Sequence, residues 1–452
     1  MFSCQPHGFK LPTPSGQRPK TGLRMKKILF IAYYFPPFGL GGVQRTLKFV
    51  KYLPSFGWQP IVLTVKPGSY FAFDSSLLKD VPAAVKVVRT GSLDPLRALS
   101  WLRHSRKEVE PAEPLRRTLS RLSQIVFQPD NKIGWMPFAL SKARDVLRQE
   151  SVEIVYATAP PFTCHLVGAL LSKLYRKPLV VDFRDAWTEF QFVQYPTPIH
   201  RFFNYFLEKK VIERAIRVIS TNEVLSENLR RAHPGAAASK FTVITHGFDP
   251  DDFKKRSVPT SRDKFTITYS GSFYATVTPK HFLAAVRQLL DKEPELAKEI
   301  KLVFLGMFRK QNKRIVTELR LWEVVDIRGY VSHSESIVGL LDSDLLWLTL
   351  GESKGAGAVT PSKLFEYIAT GKPILACVPE GAAAEIVRST GNGTVVPPDD
   401  VQAIKKAILT YYTRYREGKL GRTDPKIIQR YDRQMLTGEL ARLFNEVLSI
   451  WN

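Results

Sequence analysis

The chain has 452 residues, 44% hydrophobic and 24% charged, which makes it globular and long enough for two cores in domains of about 200 residues each. No apolar run reaches the length a bilayer-spanning helix needs, and three scattered cysteines (Cys4, Cys164, Cys377) exclude a disulfide framework and point to a reducing compartment. A formal net charge of +24 asks for an anionic partner: nucleic acid, a membrane surface bearing anionic lipid, or an anionic ligand.

Residues 1–24 are polar, carry prolines and lack an apolar signal core, so a disordered extension is expected before Met25. A βαβ unit follows, with strands over 27–32 and 60–65 and an amphipathic helix over 43–53. Between the first strand and that helix, Gly39, Gly41 and Gly42 form a loop that lets backbone N–H groups approach an anion. It is not G-x-G-x-x-G, and paired glycines before a helix equally serve ordinary turn chemistry. After a short strand over 87–89 comes a basic stretch in which Arg97, Arg103, Arg106, Lys107, Arg116, Arg117 and Arg121 alternate with leucines and Trp101. Two readings stand: a segment lying on an anionic membrane surface, or a solvated basic helix pair. No recognised nucleic-acid module accompanies the charge, so no nucleic acid is expected as partner.

A helix running to about residue 148 leads to a strand over 154–158 whose end carries Pro160, Pro161 and His165. The carboxyl ends of such strands are the ligand side of a parallel sheet, so His165 either faces a cleft or is a structural ring. The next strand, over 179–181, runs into Asp182-Phe183-Arg184-Asp185, which is either a site or an internal Asp–Arg pair holding a loop. Helix over 202–215, strand over 218–221, helix over 223–232 and strand over 241–244 complete the first half. The polar stretch 249–264 reads as a linker.

Beyond it the plan restarts, with strands over 265–269, 301–306, 324–327 and 345–350 and helices over 279–290 and 334–341. A loop of small residues, 351–359, then leads through Thr360-Pro361-Ser362-Lys363 into a helix over 364–369 and a buried strand over 374–378. Leu364, Phe365 and Ile368 form that helix's apolar face, which directs Glu366 to a rim or a ligand. Helices over 401–415 and 427–451 close the chain, the last long enough to cross back to the first domain.

Together these residues carry a resemblance. Tyr34-Phe35-Pro36-Pro37, Gly41-Gly42-Val43, Pro160-Pro161, Asp182-Phe183-Arg184-Asp185, Asn222, His246-Gly247-Phe248-Asp249, Gly271-Ser272-Phe273-Tyr274 and Pro361 to Tyr367 resemble, in order and spacing, the retaining glycosyltransferases of family 4. The resemblance covers roughly residues 25–450 and implies an α/β GT-B fold: two Rossmann-like doubly wound domains facing a cleft. The domains expected are 25–248 on the acceptor side, 265–426 on the donor side, and a crossing helix over 427–452. It implies a nucleotide-sugar donor, a glycan or lipid-linked acceptor, no required metal or cofactor, and a cytoplasmic protein peripheral to the membrane. Donor binding is expected at Gly41, Gly42, Gly271, Ser272, Tyr330, Val331, Ala358, Val359, Thr360, Pro361, Leu364 and Glu366, with Glu366 on the ribose. Catalytic roles fall to His165, Asp185, Lys280 and Lys363, and Trp101, Arg103, Arg106, Arg116 and Arg117 lie on the acceptor or membrane side. Two departures stand out. Ala358 occupies the place of a glutamate that many members carry, and Ser272 that of an arginine.

Overall fold

The computed structural model describes residues 25–39, 41–68, 73–93, 127–189, 195–254, 263–273 and 276–451. The expected extension 1–24 and the basic segment with Trp101, Arg103, Arg106, Arg116 and Arg117 lie outside the described residues.

The first sheet has seven parallel strands: β1 (Lys26–Ile31), β2 (Trp58–Val65), β3 (Lys86–Thr90), β4 (Val152–Ala159), β5 (Leu179–Phe183), β6 (Arg217–Ser220) and β7 (Phe241–Val243), ordered β3-β2-β1-β4-β5-β6-β7. Near-continuous apolar strands such as β1 and β5 sit at its centre because helices cover both faces of a parallel sheet. In register, Leu29 lies between Ile61 and Val155, all three buried. The connecting helices are α1 (Gly41–Tyr52), α2 (Met136–Gln149), α3 (Thr163–Tyr175), α4 (Pro198–Arg214) and α5 (Glu223–Ala232).

The second sheet has six strands, β8 (Phe265–Ser270), β9 (Ile300–Leu305), β10 (Val325–Gly329), β11 (Leu345–Thr349), β12 (Ile374–Cys377) and β13 (Gly393–Val396), ordered β10-β9-β8-β11-β12-β13. Around it lie α6 (Lys280–Lys292), α7 (Lys310–Glu318), α8 (His333–Leu341), α9 (Lys363–Ala369), α10 (Ala382–Ser389) and α11 (Val401–Arg416). Strand order reverses direction between β1 and β4 in one sheet and between β8 and β11 in the other. A crevice opens at such a switch point beyond the strands' carboxyl ends, and the two crevices face one another. This is the GT-B arrangement.

The last helix, α12 (Arg433–Trp451), crosses back and buries Leu436, Leu440, Phe444 and Val447 in the first domain's core. Phe444 meets Trp58 and Tyr156 edge-on, with ring centres 5.3 and 5.8 Å apart. The single helix expected over 427–451 is instead broken: a short helix, Pro425–Gln429, precedes α12. The Phe248 N–H donates to the Tyr431 carbonyl (3.0 Å) and the Arg433 N–H to the Phe248 carbonyl (2.9 Å), drawing the chain extended at the crossing. Among the described residues no helix is long and apolar enough to cross a membrane.

Candidate active site

The wall built by the first sheet begins at the N-terminus of α1. A Cβ on Gly41 would collide with Ser362 Oγ of the opposite domain, so glycine lets the two domains approach here with the serine hydroxyl where it stands. At Gly42 a Cβ would fall 2.7 Å from Arg184 Nη1. Arg184, just past β5, donates through Nε to the Ala159 carbonyl (3.1 Å) and through its two terminal nitrogens to the carbonyls of Gly42 and Pro160. One guanidinium therefore ties together the two loops that flank the switch point.

Asp182 does not pair with Arg184. Its carboxylate takes a bidentate bond from Arg45 on α1 (Nε 3.0 Å, Nη2 2.8 Å) and a third from Thr158 Oγ1 at 2.8 Å. Arg45 also donates to the carbonyls of Thr245 (2.7 Å) and Ile244 (2.9 Å). Both side chains are wholly buried. Burial alone would raise the Asp182 carboxyl, but the Arg45 charge and hydrogen bonds hold it below its ordinary value. Among the described residues the Asp–Arg pair expected within this loop is therefore absent, and Asp182 is paired instead with an arginine of another helix. Asp185 is half-buried, and burial raises its carboxyl against the opposing charge of Arg184.

His165 is not a cleft residue. Its ring has no exposed surface, sits 3.2 Å through Nε2 from the Asp182 carbonyl, and packs 4.4 Å from the Phe183 ring centre. Burial lowers it to about 4, so it is a neutral ring bracing the end of β5.

Across the crevice, Lys363 opens α9 and points its ammonium at the second sheet's switch point. Gly271 (φ +128°) leaves room for it, since a Cβ there would lie 2.9 Å from Nζ, and the ammonium rides 3.8 Å above the Tyr269 ring centre. Among the described residues no hydrogen bond reaches that ammonium. Burial lowers its pKa to about 7, with the Glu366 carboxylate opposing. Glu366 lies one turn on, its Oε1 3.0 Å from His333 Nε2. His333 opens α8 behind a capping box of Ser332 and Glu335. Its backbone N–H donates to Asp74 Oδ2 of the first domain at 3.3 Å, and its Nδ1 stands 3.9 Å from Asp252. Burial would lower this imidazole, yet the charges of Glu366 and Asp252 raise it above its ordinary value.

The small-residue loop is pinned to the first domain. Asn222 caps α5, accepting the Leu225 N–H at 2.8 Å, while its Nδ2 donates to the Ala358 carbonyl (2.9 Å) and Thr360 Oγ1 (3.2 Å). Val359 and Pro361 are half-buried beside it. Leu364 turns away from the crevice: its side chain is wholly buried in the second domain's core and its N–H donates to the Pro361 carbonyl. Tyr330 is exposed and Val331 half-buried after β10. Ser272 is half-buried, with its carbonyl 3.4 Å from the Tyr269 hydroxyl. Lys280 stands exposed at the start of α6, which leaves Lys363 as the lysine held at Gly271.

Three carboxylates, Asp80, Asp249 and Asp252, converge behind this region. Lys48 Nζ lies among them at 2.6, 2.7 and 3.2 Å, occupying the place a bound cation would take. Arg45, Lys48, Asp74, Asp252 and His333 are not among the site residues expected from the sequence. The signals present were two cations three apart on a helix that also carries Val43, Leu47, Phe49 and Val50 (Arg45, Lys48) and the S-x-x-E box at Ser332.

A model of the glycosyltransferase family 4 matches residues 40–252, and one of the glycosyl transferases group 1 matches residues 250–419. The chain belongs to the family 4 glycosyltransferases. Among curated proteins this glycosyltransferase is 24% identical over 217 residues to WcaL of Escherichia coli (strain K12), provisionally named a colanic acid biosynthesis glycosyltransferase. That match covers 46% of this chain and spans about half, 52%, of WcaL. A glycosyltransferase structure from Rickettsia africae ESF-5 superposes with a TM-score of 0.60 at 15% identity, covering 94% of this chain and 99% of the other. Anabaena HepE, solved in complex with UDP-glucose, gives 0.61 at 18% identity, with 93% and 99% covered. At these identities the likeness of structure speaks for the fold.

Proposed function

We propose that this glycosyltransferase moves a hexosyl or N-acetylhexosaminyl unit from a nucleotide sugar to a glycan or lipid-linked acceptor, with retention at the anomeric carbon, in cell-surface polysaccharide or glycoconjugate synthesis. One observation carries the reading: the Lys363 ammonium, held between Gly271 and the Tyr269 ring with no hydrogen-bond acceptor among the described residues, one helical turn from the carboxylate of Glu366. A lysine left in that state gains most from an anion, and a diphosphate is an anion whose charge grows as its bond to the sugar breaks. Glu366 then takes the ribose hydroxyls, exchanging part of its bond to His333 for them. The loops at Gly41 and Gly42 close over the donor from the other domain, and Arg184 keeps them in place. On this reading residues 25–248 receive the acceptor, residues 265–426 hold the donor, and the protein works at the cytoplasmic face of a membrane. The UDP-glucose bound to HepE and the name of WcaL agree with it.

The test is a panel of nucleotide sugars scored for thermal stabilisation and for slow hydrolysis. A donor present at about a hundred times its Kd should add about 2.7 kcal/mol of stability. No stabilisation by any nucleotide sugar would sink the proposal. A second reading, a donor-binding homologue without transfer, is favoured by Ala358 and Ser272. It requires stabilisation with neither hydrolysis nor transfer.

A further inference from the structure

Helix α4 turns an apolar stripe toward solvent. Its inner side is Asn204, Glu208, Val211 and Ile212, all buried. On the outer side Ile199, Phe202, Phe203 and Phe206 are exposed to 76%, 70%, 45% and 44%. Their spacing, i, i+3, i+4 and i+7, places all four on one face over two turns. Three exposed phenylalanines in one row leave apolar area uncovered for which the transfer chemistry has no use.

Charge follows the stripe. No acidic residue falls between Ile199 and Leu207, and Arg201 in that stretch is exposed. One turn beyond Phe206 come Lys209 and Lys210, with side chains 52% and 58% exposed, and the Lys210 ammonium lies 5.6 Å from the Phe206 ring centre. A lysine laid along an aromatic ring, with its charge carried past the apolar surface, is the arrangement found at a lipid–water boundary. Glu213 pairs with both lysines but lies a further turn away from the rings.

The position also fits. Helix α4 leaves the loop that follows β5 and returns along the sheet toward the start of β6, so its apolar first turns lie at the cleft end and its lysines at the other. That loop reaches the second domain, since a Cβ on Gly355 would stand 3.1 Å from the Glu189 carbonyl.

We propose that the outer face of α4 inserts into a bilayer containing anionic lipid and sets the cleft mouth against the headgroups. The stripe exposes on the order of 400 Å² at about 200 Å² per ring. A stable dimer interface buries roughly 800 Å² on each partner, so a second copy of this chain would be left short of contact. A bilayer needs no complementary partner and supplies both an apolar layer for the rings and negative charge toward Arg201, Lys209 and Lys210, three cations of which the two lysines share the single carboxylate of Glu213. The proposal rests on the reading above only for the identity of the cleft.

The experiment is co-sedimentation of the full chain with phosphatidylcholine vesicles containing phosphatidylglycerol, at physiological and at high salt. The parent should bind at physiological salt and keep a fraction bound at high salt, because salt screens the lysines but not the rings. The double variant Phe202→Ser, Phe206→Ser should bind about tenfold more weakly and lose the salt-resistant fraction. These side chains are exposed, so its melting temperature and its response to nucleotide sugars should match the parent, which separates failure here from failure of the transfer reading. In Phe202→Trp, brominated lipid should quench emission beyond that of the parent. Equal vesicle binding by the double variant and parent, or no added quenching, would overturn the proposal. So would a parent dimer in sedimentation velocity that the double variant dissolves.

Discussion

Lys363 should make donor binding depend on pH in the neutral range. Burial holds its ammonium at about 7 in the unliganded protein. A diphosphate beside it favours the charged form and returns the pKa toward the ordinary value of about 10.4. The sign follows: donor binding takes up a proton wherever free Lys363 is neutral, so affinity is highest below pH 7 and falls as pH rises through it. Between pH 7 and 8 the donor Kd should rise about fivefold, near 1 kcal/mol, and then about tenfold per unit until the bound lysine itself titrates. A diphosphate diester has no group of its own that titrates there. Calorimetry of donor binding at pH 8 in two buffers of different ionisation enthalpy would register uptake of nearly one proton per donor. Lys363→Met should abolish the uptake, flatten the profile, and lower kcat more than it raises KM, because the leaving diphosphate gains charge in the transition state. Lys280→Gln, at an exposed position, should leave the slope intact. Zero uptake by the parent, or the same pH slope in Lys363→Met, would refute the placement of the diphosphate at this ammonium.

Glu366→Ala should weaken the donor by about 1.5–3 kcal/mol while leaving the fold intact, measured by titration calorimetry beside thermal melting. Asp182→Ala leaves the wholly buried Arg45 without its carboxylate and should cost about 3–5 kcal/mol of stability in denaturant unfolding. Because the Asp182 carboxyl is held below its ordinary value, its stabilisation is complete above the unfolded pKa of about 3.9 and fades as pH falls further. Asn222→Ala removes a helix cap, worth about 1 kcal/mol, and both bonds to the small-residue loop. Hydrogen exchange over residues 355–362 should quicken in that variant and not in a cap-only control.

The sheets were legible because parallel strands buried on both faces write themselves as apolar runs: 27–32, 60–65, 179–181 and 374–378 each correspond to a central strand. Two elements at the second sheet's periphery, α7 and β13, were not. The sequence of α7, Lys-Gln-Asn-Lys-Arg-Ile-Val-Thr-Glu, has two adjacent apolar residues and no helical period, and β13 is only Gly393–Val396. The break before α12 was invisible because its cause, pairing with Phe248, lies far away in sequence. The same limit applied to the site. Glu366 and Lys363 share one helix, so their proximity followed from spacing, whereas Arg45 with Asp182 and His333 with Asp74 meet only through the fold. His165 misled because the end of a strand is a cleft in one direction and a core in the other, and the packing of Phe162, Phe183 and Trp187 decides which.

The two departures from the family pattern have a common physical reading. Ala358 packs against the first domain's hydrophobic core, and its carbonyl is taken by Asn222, so this position joins the domains. A carboxylate there would have to be buried against apolar surface or would push the loop off Asn222, and either costs free energy that an alanine does not. Ser272 leaves the switch point without an arginine, and the charge at Gly271 comes instead from Lys363, three residues before Glu366 on the same helix. Cation and carboxylate therefore move as one body on α9, anchored by Leu364, Phe365 and Ile368 in the core. Under the proposed function, the spacing between the diphosphate and ribose contacts is then set by one turn of helix. It does not depend on how far the two domains have closed.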